Sequence, residues 1–432
     1  MADRLPNDVV FWQLPKHDSI QLKQDAQADV VVIGGGMAGL SAAQKFHEKG
    51  LSVIVLEKNF CGAGASGKSS GFITPDSEYS LSMFTEKYGA EKAKIIWEFV
   101  ISGVDLIRNN ITSYEIDCEH SKQDTLVIAH TQKAFSSEIV QEHSTRRSLG
   151  YDSSLYNQSE LPSILGTDQF FGGVRYSKTF GINGYRYLQE MKDRLSKQGV
   201  QIYEESPVLN FDNNTVYCSG AKVKAQYIVV CADWWIPEFG KLFYDLYHAQ
   251  TFLLLSAPLK DNEVQALFPQ GPLMVWDTSL IYTYFRITPD NRLLLGGSNI
   301  YQTYASKAHH DNETIFHKLT SYFYKKFPHI KPEFHYMWPG LIGVSKDILP
   351  LAGKDDQNPN IYYVGAAAGL PWASALGAYS ADSLIDGRSE FDDLFSPYRP
   401  FTVNSTIQKC IGTRLAFALS HMSVNRKFFS IT

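Results

Sequence analysis

Asp29-Val30-Val31-Val32-Ile33-Gly34-Gly35-Gly36-Met37-Ala38-Gly39-Leu40 is the stretch that decides the fold. Val30 to Ile33 is an unbroken β-branched run, suited to a strand buried on both faces. Gly34, Gly36 and Gly39 satisfy G-x-G-x-x-G. The first allows a tight turn, the second lets backbone approach a pyrophosphate, and the third permits close helix–strand packing. Leu40, Ala43, Phe46 and His47 recur at helical spacing, and Gly50 closes the helix. Ser52 to Leu56 reads as a second buried strand, completing a right-handed βαβ unit. Phosphates would sit among the free N–H groups at the helix start, flanked by Met37 and Ala38. Glu57, followed by Lys58, stands where a carboxylate accepts hydrogen bonds from an adenosine ribose. A generic glycine-rich turn rarely brings strand, helix, strand and terminal acid together.

Outward from this unit, the chain has 432 residues, room for two domains or one large two-part unit. It is 44% hydrophobic and 20% charged, with net charge -5, so no nucleic-acid partner is expected. Cys61, Cys118, Cys218, Cys231 and Cys410 are scattered without a C-x-x-C pair, which argues for a reducing compartment and against a thiolate zinc site. His47, His130, His309 and His310 show no metal spacing, so no metal is expected. Asp3, Pro6, Asp8 and Pro15 interrupt any leader-like apolar run, and no stretch has the length of a membrane span. The expected location is cytoplasmic.

The expected fold class is α/β: a Rossmann-like, glutathione-reductase-type FAD-binding domain with an inserted, mainly antiparallel α+β substrate domain. Residues 1–80, 170–235 and 336–390 are assigned to the first, 81–169 and 236–335 to the second, and 391–432 to a basic helical tail. The antiparallel part is expected from strands at Gln250 to Ser256, Leu273 to Trp276, Ile281 to Ile287 and Arg292 to Gly296, with a turn at Pro289-Asp290-Asn291. The loop Ala63-Gly64-Ala65-Ser66-Gly67-Lys68-Ser69-Ser70-Gly71 favours FAD over NAD. Just after the ribose acid, it can wrap an extended dinucleotide with hydroxyls, N–H groups and the Lys68 cation.

With these features the sequence resembles the FAD-dependent amine and amino-acid oxidoreductases of the D-amino-acid oxidase, glycine oxidase and sarcosine oxidase type. It is most similar to the gamma-glutamylputrescine oxidoreductase branch. The resemblance covers nearly the whole chain: Trp12, the opening glycine turn, the GASGKSSG loop, the hairpin Tyr284 to Arg292, Trp338-Pro339-Gly340 through Pro350, and Gly365 to Gly377. It implies FAD between the two domains. The implied cofactor contacts are Gly34, Gly36, Gly39, Glu57, Ala65, Ser66, Lys68, Ser69, Gly71, Val208, Ala232, Gly340, Gly365, Gly369 and Leu370.

Three departures sharpen the expectation. Where glycine and D-amino-acid oxidases resemble this chain but carry a carboxylate-binding arginine, it has Ile342, which cannot form a bidentate pair. No cysteine lies between Cys231 and Cys410, so the flavin is expected to be noncovalent. Leu294 stands where sarcosine oxidases have an oxygen-site lysine, which leaves oxygen and another electron acceptor both open.

The expected activity is oxidation of a C–N bond in a small amine: a secondary amine, polyamine or gamma-glutamyl polyamine. The alternatives are a catalytically weak flavin-binding scaffold and a membrane-associated amine dehydrogenase feeding a quinone. No catalytic side chain is assigned, because the cofactor carries the chemistry. Substrate-pocket candidates are Tyr282, Tyr284, Arg286, Trp338, Ile342 and Trp372; Trp276 and Tyr336 are weaker ones. After Asp393 there is no acidic residue, while Arg399, Lys409, Arg414, Arg426 and Lys427 are basic. Ile407, Ile411, Leu415, Ala418, Leu419 and Met422 fall near one helical face. Two readings of this tail stay open: peripheral membrane contact, or a helix docked on the body or on a second subunit.

Overall fold

The computed structural model describes residues 9–13, 19–76, 78–279, 281–299, 303–304, 312–367 and 369–424. Asp3, Pro6, Asp8, Pro15, His309, His310, Arg426 and Lys427 lie outside the described residues.

Two eight-stranded sheets organise the chain. The first contains β1 (Ala26–Ile33) and β2 (Val53–Leu56), paired in parallel, with Ala221–Val230 parallel on the far side of β1. Ile361–Gly365 continues the parallel set beyond Ala221–Val230. The β-branched run Val30 to Ile33 is buried on both faces, as a central parallel strand requires. Helix α1 (Met37–Glu48) follows β1, and the short α2 (Ala65–Lys68) follows β2.

The second sheet is built from β3 (Leu246–Pro258), β4 (Leu273–Asp277), β5 (Tyr284–Ile287), β6 (Arg292–Gly297) and β7 (Phe334–Ser345), with three earlier strands at one end. The expected hairpin is there: Tyr284 pairs with Gly296 and Ile287 with Leu293, while Asn291 takes a φ of 61° in the turn. One pair departs from the antiparallel expectation, since β4 runs parallel to Asp124–Ile128.

The assigned boundaries and the packing differ in three places. α3 (Leu81–Tyr88) and α4 (Ala90–Tyr114), placed with the second domain from sequence, share one core with α1, and so does α5 (Gly184–Lys197). α6 (Leu370–Ile385) completes that layer. Gly172–Tyr176 and β7, placed with the first domain, are strands of the second sheet. Helical periodicity reports a buried stripe but not which sheet it covers. Here small residues decide: a Cβ at Gly377 would overlap the Ala38 carbonyl of α1, and one at Gly103 would overlap that of Pro371. The three helices meet at backbone distance because these positions carry no side chain.

Among the described residues, the stretch expected to form one apolar helical face is two helices, α7 (Ser405–Ile411) and α8 (Thr413–Val424), separated by Gly412 at φ 85°. The single apolar face expected from Ile407 to Met422 is therefore broken. Ile407, Leu415 and Leu419 are exposed, while Ala416, Phe417, Ser420 and His421 are buried against the body. No described helix is long and apolar enough to cross a membrane.

Candidate active site

The glycine turn has the shape a pyrophosphate needs. Gly34 has φ 109°, and a Cβ there would stand 2.5 Å from the Cys231 carbonyl oxygen. A Cβ on Gly39 would overlap the Gly34 carbonyl oxygen. α1 begins at Gly36 with no side-chain cap from that residue and no acidic residue in its first turn. Ser66 Oγ accepts from Met37 N at 3.1 Å, which draws the second loop against the first. Ala38 is buried in the same helix.

Glu57 closes the end of β2. Its carboxylate accepts from Gly35 N at 2.7 Å and Asn59 N at 2.9 Å, and burial pushes its pKa up. Ser206 N donates to the Glu57 carbonyl at 2.9 Å, which brings Val208 to the same end of the sheet. Lys58 Nζ lies 3.5 Å over the ring of Trp235. Ala232 ends the neighbouring strand as the N-cap of a short 3-10 helix.

The GASGKSSG loop leads from this turn to a cavity of about 380 Å³. Ala65, Lys68, Ser69 and Ser70 line one side; Gly340, Ile342, Gly369 and Leu370 line another. Ser69 Oγ donates to Ser66 O at 3.0 Å, and Gly71 N donates to Ser69 Oγ at 3.3 Å. Trp338 Nε1 donates to Lys68 O at 3.0 Å, fastening the loop to β7. α6 starts at the cavity with Gly369 at φ 107° and no side-chain cap, a second helix start facing the same space. Gly365 sits against Ile236, where a Cβ would come within 2.9 Å of Ile236 Cδ1. A larger hollow of about 500 Å³ lies on the outer face between α1, α4 and α6; it contains none of the cofactor glycines.

Tyr282, Tyr284, Trp338, Ile342 and Trp276 line the cavity. Arg286 does not. It is buried, and its guanidinium donates to the carbonyls of Ser70 at 2.6 Å and Ile182 at 2.8 Å. Strand alternation puts it on the face of Tyr284, but the GASGKSSG loop covers that face one step further along. Trp372 is also outside the cavity, packed between Phe84, Phe99 and Phe395 in the helix layer. Tyr336 packs on Phe11 with the ring planes tilted by 49°, and it does not line the cavity. Leu294 is buried with Trp12 and Trp338.

Two sets of residues were not read from sequence. Asp233, at φ 49°, accepts from Gly343 N at 2.7 Å and Ala366 N at 2.9 Å, so one carboxylate joins β7 to the closing glycine segment. Burial raises its pKa against these hydrogen bonds. The acidic wall of the cavity, Asp76, Glu78, Glu138, Glu142 and Asp277, was also missed. Arg146, behind this wall, pairs with Asp76 at 2.9 Å and Glu142 at 2.7 Å, and Tyr176 donates to Asp76. Tyr282 donates to Glu78 at 3.0 Å.

A parallel sheet with a glycine turn made for pyrophosphate, opening onto a cavity beneath an antiparallel sheet, defines a flavin-dependent oxidoreductase. The chain belongs to the DAO family of FAD dependent oxidoreductases, whose model matches residues 29–382. It is 28% identical over 407 residues to a probable oxidoreductase, OrdL, of Haemophilus influenzae, covering 91% of each chain. It is 26% identical over 400 residues to the gamma-glutamylputrescine oxidoreductase of Escherichia coli, covering 90% of this chain and 91% of that one. Among solved structures, glycine oxidase from Geobacillus kaustophilus superposes with a TM-score of 0.74 at 17% identity, covering 87% of this chain and all of that one. L-proline dehydrogenase from P. horikoshii gives 0.73 at 16% identity, covering 87% and 98%. The family binds FAD, and the glycine cradle, Glu57 and the uncapped helix starts fit that cofactor.

Proposed function

We propose that this enzyme oxidises the C–N bond of a small amine, in the class of secondary amines, polyamines and gamma-glutamyl polyamines. The composition of the cavity wall carries the reading. Its described residues include five carboxylates, Asp76, Glu78, Glu138, Glu142 and Asp277, one lysine and no arginine. An α-carboxylate finds no bidentate partner there, and Ile342 presents hydrocarbon. Asp76 and Glu142 are matched by Arg146 and Asp277 accepts from Tyr322, so a cationic amine meets chiefly Glu78, Glu138 and the rings of Trp276, Tyr282, Tyr284 and Trp338, each aromatic contact worth about 0.5–2 kcal/mol. The relative that oxidises gamma-glutamylputrescine supports the same substrate class.

Gly34, Gly36, Gly39, Glu57 and the GASGKSSG loop would hold FAD, whose chemistry there would be two-electron oxidation of the C–N bond, with oxygen or another acceptor as the final oxidant. The protein's own part is to orient and to exclude water. Gly340 and Gly369 allow close approach of a planar ring, Trp338 fixes the Lys68 end of the loop, and Asp233 holds Gly343 and Ala366 in place. The test is product analysis of steady-state turnover. C–N oxidation of secondary amines or polyamines, with α-amino acids far poorer substrates, is expected; turnover of α-amino acids in preference to every amine would overturn the reading.

A further inference from the structure

The family match ends at residue 382, yet a segment beyond it reaches the cavity. The chain is pinned first at Arg399, whose guanidinium is bidentate to Asp347 at 2.9 and 2.7 Å. After Gly412, α8 turns Phe417 and His421 inward. Phe417 is fully buried against Tyr247, Ala249, Ile342 and Val344, and three of these four, Ala249, Ile342 and Val344, line the cavity. His421 itself lines it, as does Tyr304.

The hydrogen bonds of His421 fix what this wall offers a ligand. Its Nε2 lies 2.6 Å from the Ser345 carbonyl, which can only accept, so Nε2 carries the proton. Nδ1 then accepts from the Tyr304 hydroxyl at 2.7 Å. Both ring nitrogens and the one hydroxyl proton are used. Among the described residues, the Tyr304 oxygen keeps acceptor capacity, on a cavity wall that also includes apolar Ile342. A carboxylate gains nothing from such a wall, whereas an N–H group or an alkyl chain does.

We infer that α8 is the outer wall of the substrate end of the cavity, and that Phe417, His421 and Tyr304 set which amines fit by length and by a distal N–H. The inference rests on the amine reading above. Phe417 and His421 lie beyond residue 382, where the family match ends, while Tyr304 lies within it.

The test uses the full-length holoenzyme, a chain ending at Gly412, and the variants Phe417→Ala and Tyr304→Phe. The probes are a homologous series of N-methylalkylamines and the matching diamines. Wild type should show a length cut-off in kcat/KM. The Gly412 truncation and Phe417→Ala should move it toward longer amines, changing the long-to-short ratio about tenfold, as one or two methylenes in a pocket do. Tyr304→Phe keeps the ring, and should raise KM for diamines more than for N-methylalkylamines while kcat changes less than KM. Flavin content of each variant separates a lost wall from a lost fold, and Tyr304→Phe carries the test if the truncated chain loses FAD. One length profile shared by all flavin-loaded forms, with no selective diamine effect in Tyr304→Phe, overturns the wall and leaves the amine reading standing. A wild type that oxidises no amine overturns both.

Discussion

Arg286 donates to the carbonyl oxygen of Ser70 across 2.6 Å, a contact that ties the second sheet to the GASGKSSG loop. The same guanidinium reaches Ile182 O at 2.8 Å. Replacing Arg286 with leucine leaves the buried Ile182 carbonyl and the part-buried Ser70 carbonyl unmet, a buried one costing about 1–3 kcal/mol. Arg286→Leu should therefore lower stability by about 2–4 kcal/mol and weaken FAD retention. Lysine should rescue only part of this, having no planar fork to serve two carbonyls. Denaturant unfolding and FAD titration of the apoprotein check it; an Arg286→Leu protein with wild-type flavin affinity but lost substrate binding would return Arg286 to the pocket.

At the other end of the cofactor, Gly39→Ala places a methyl group into the Gly34 carbonyl. The helix must then move off the glycine turn proposed to hold the pyrophosphate. The variant should purify without flavin, or with FAD affinity lowered by at least about a hundredfold, equal to about 2.7 kcal/mol. Absorbance of bound flavin per chain measures it. Gly50→Ala is the control for an open position, where nothing lies within 4 Å of the added Cβ, although its φ of 83° still costs some stability.

His421 makes the docking of α8 depend on pH. Burial, the largest cause, lowers its pKa from the ordinary 6.5, against the upward pull of the Ser345 carbonyl and Asp347. The other groups around it are Tyr304, Arg399 on Asp347, and Lys346, which lies over Phe417 and pairs with Asp245. The neutral form is favoured in the docked state, so the stability it lends is complete above 6.5 and declines as the pH falls below that value. Limited proteolysis near Gly412 should be faster at about pH 5.5 than at about pH 7.5, and His421→Gln should flatten the dependence. Equal cleavage at both pH values in wild type would contradict it.

Ile342→Arg tests the substrate preference by restoring a carboxylate partner. The ratio of kcat/KM for α-amino acids over amines should rise about tenfold, or about 1.4 kcal/mol. Since Ile342 packs on Phe417, the gain should be larger when Ile342→Arg is combined with Phe417→Ala. An unchanged ratio in both would mean that position 342 does not meet the substrate.

The cofactor end of the site was legible in sequence because its determinants are local. Gly34, Gly36, Gly39 and Glu57 lie on one strand, turn, helix and strand, and spacing alone brings them together. The substrate end is built from positions far apart in sequence: Phe417 lies against Ile342, and Asp233 joins Gly343 to Ala366. No periodicity reports such pairs. Strand alternation grouped Arg286 with Tyr284 and was right about the face, but it could not show that Ser70 covers the arginine. Trp372 was read as a pocket aromatic because an aromatic beside a glycine segment looks the same in sequence whether it faces a ligand or a helix layer. For α8, Gly412 was the available signal: a left-handed break in what was read as one amphipathic helix.

Anaerobic mixing of the purified holoprotein with amines and with α-amino acids, followed by flavin absorbance, is the most direct test. A secondary amine or polyamine should bleach the flavin, and α-amino acids should do so far more slowly. A protein that purifies colourless and takes up no FAD, or a bound flavin that no amine reduces, would contradict the proposed amine oxidation.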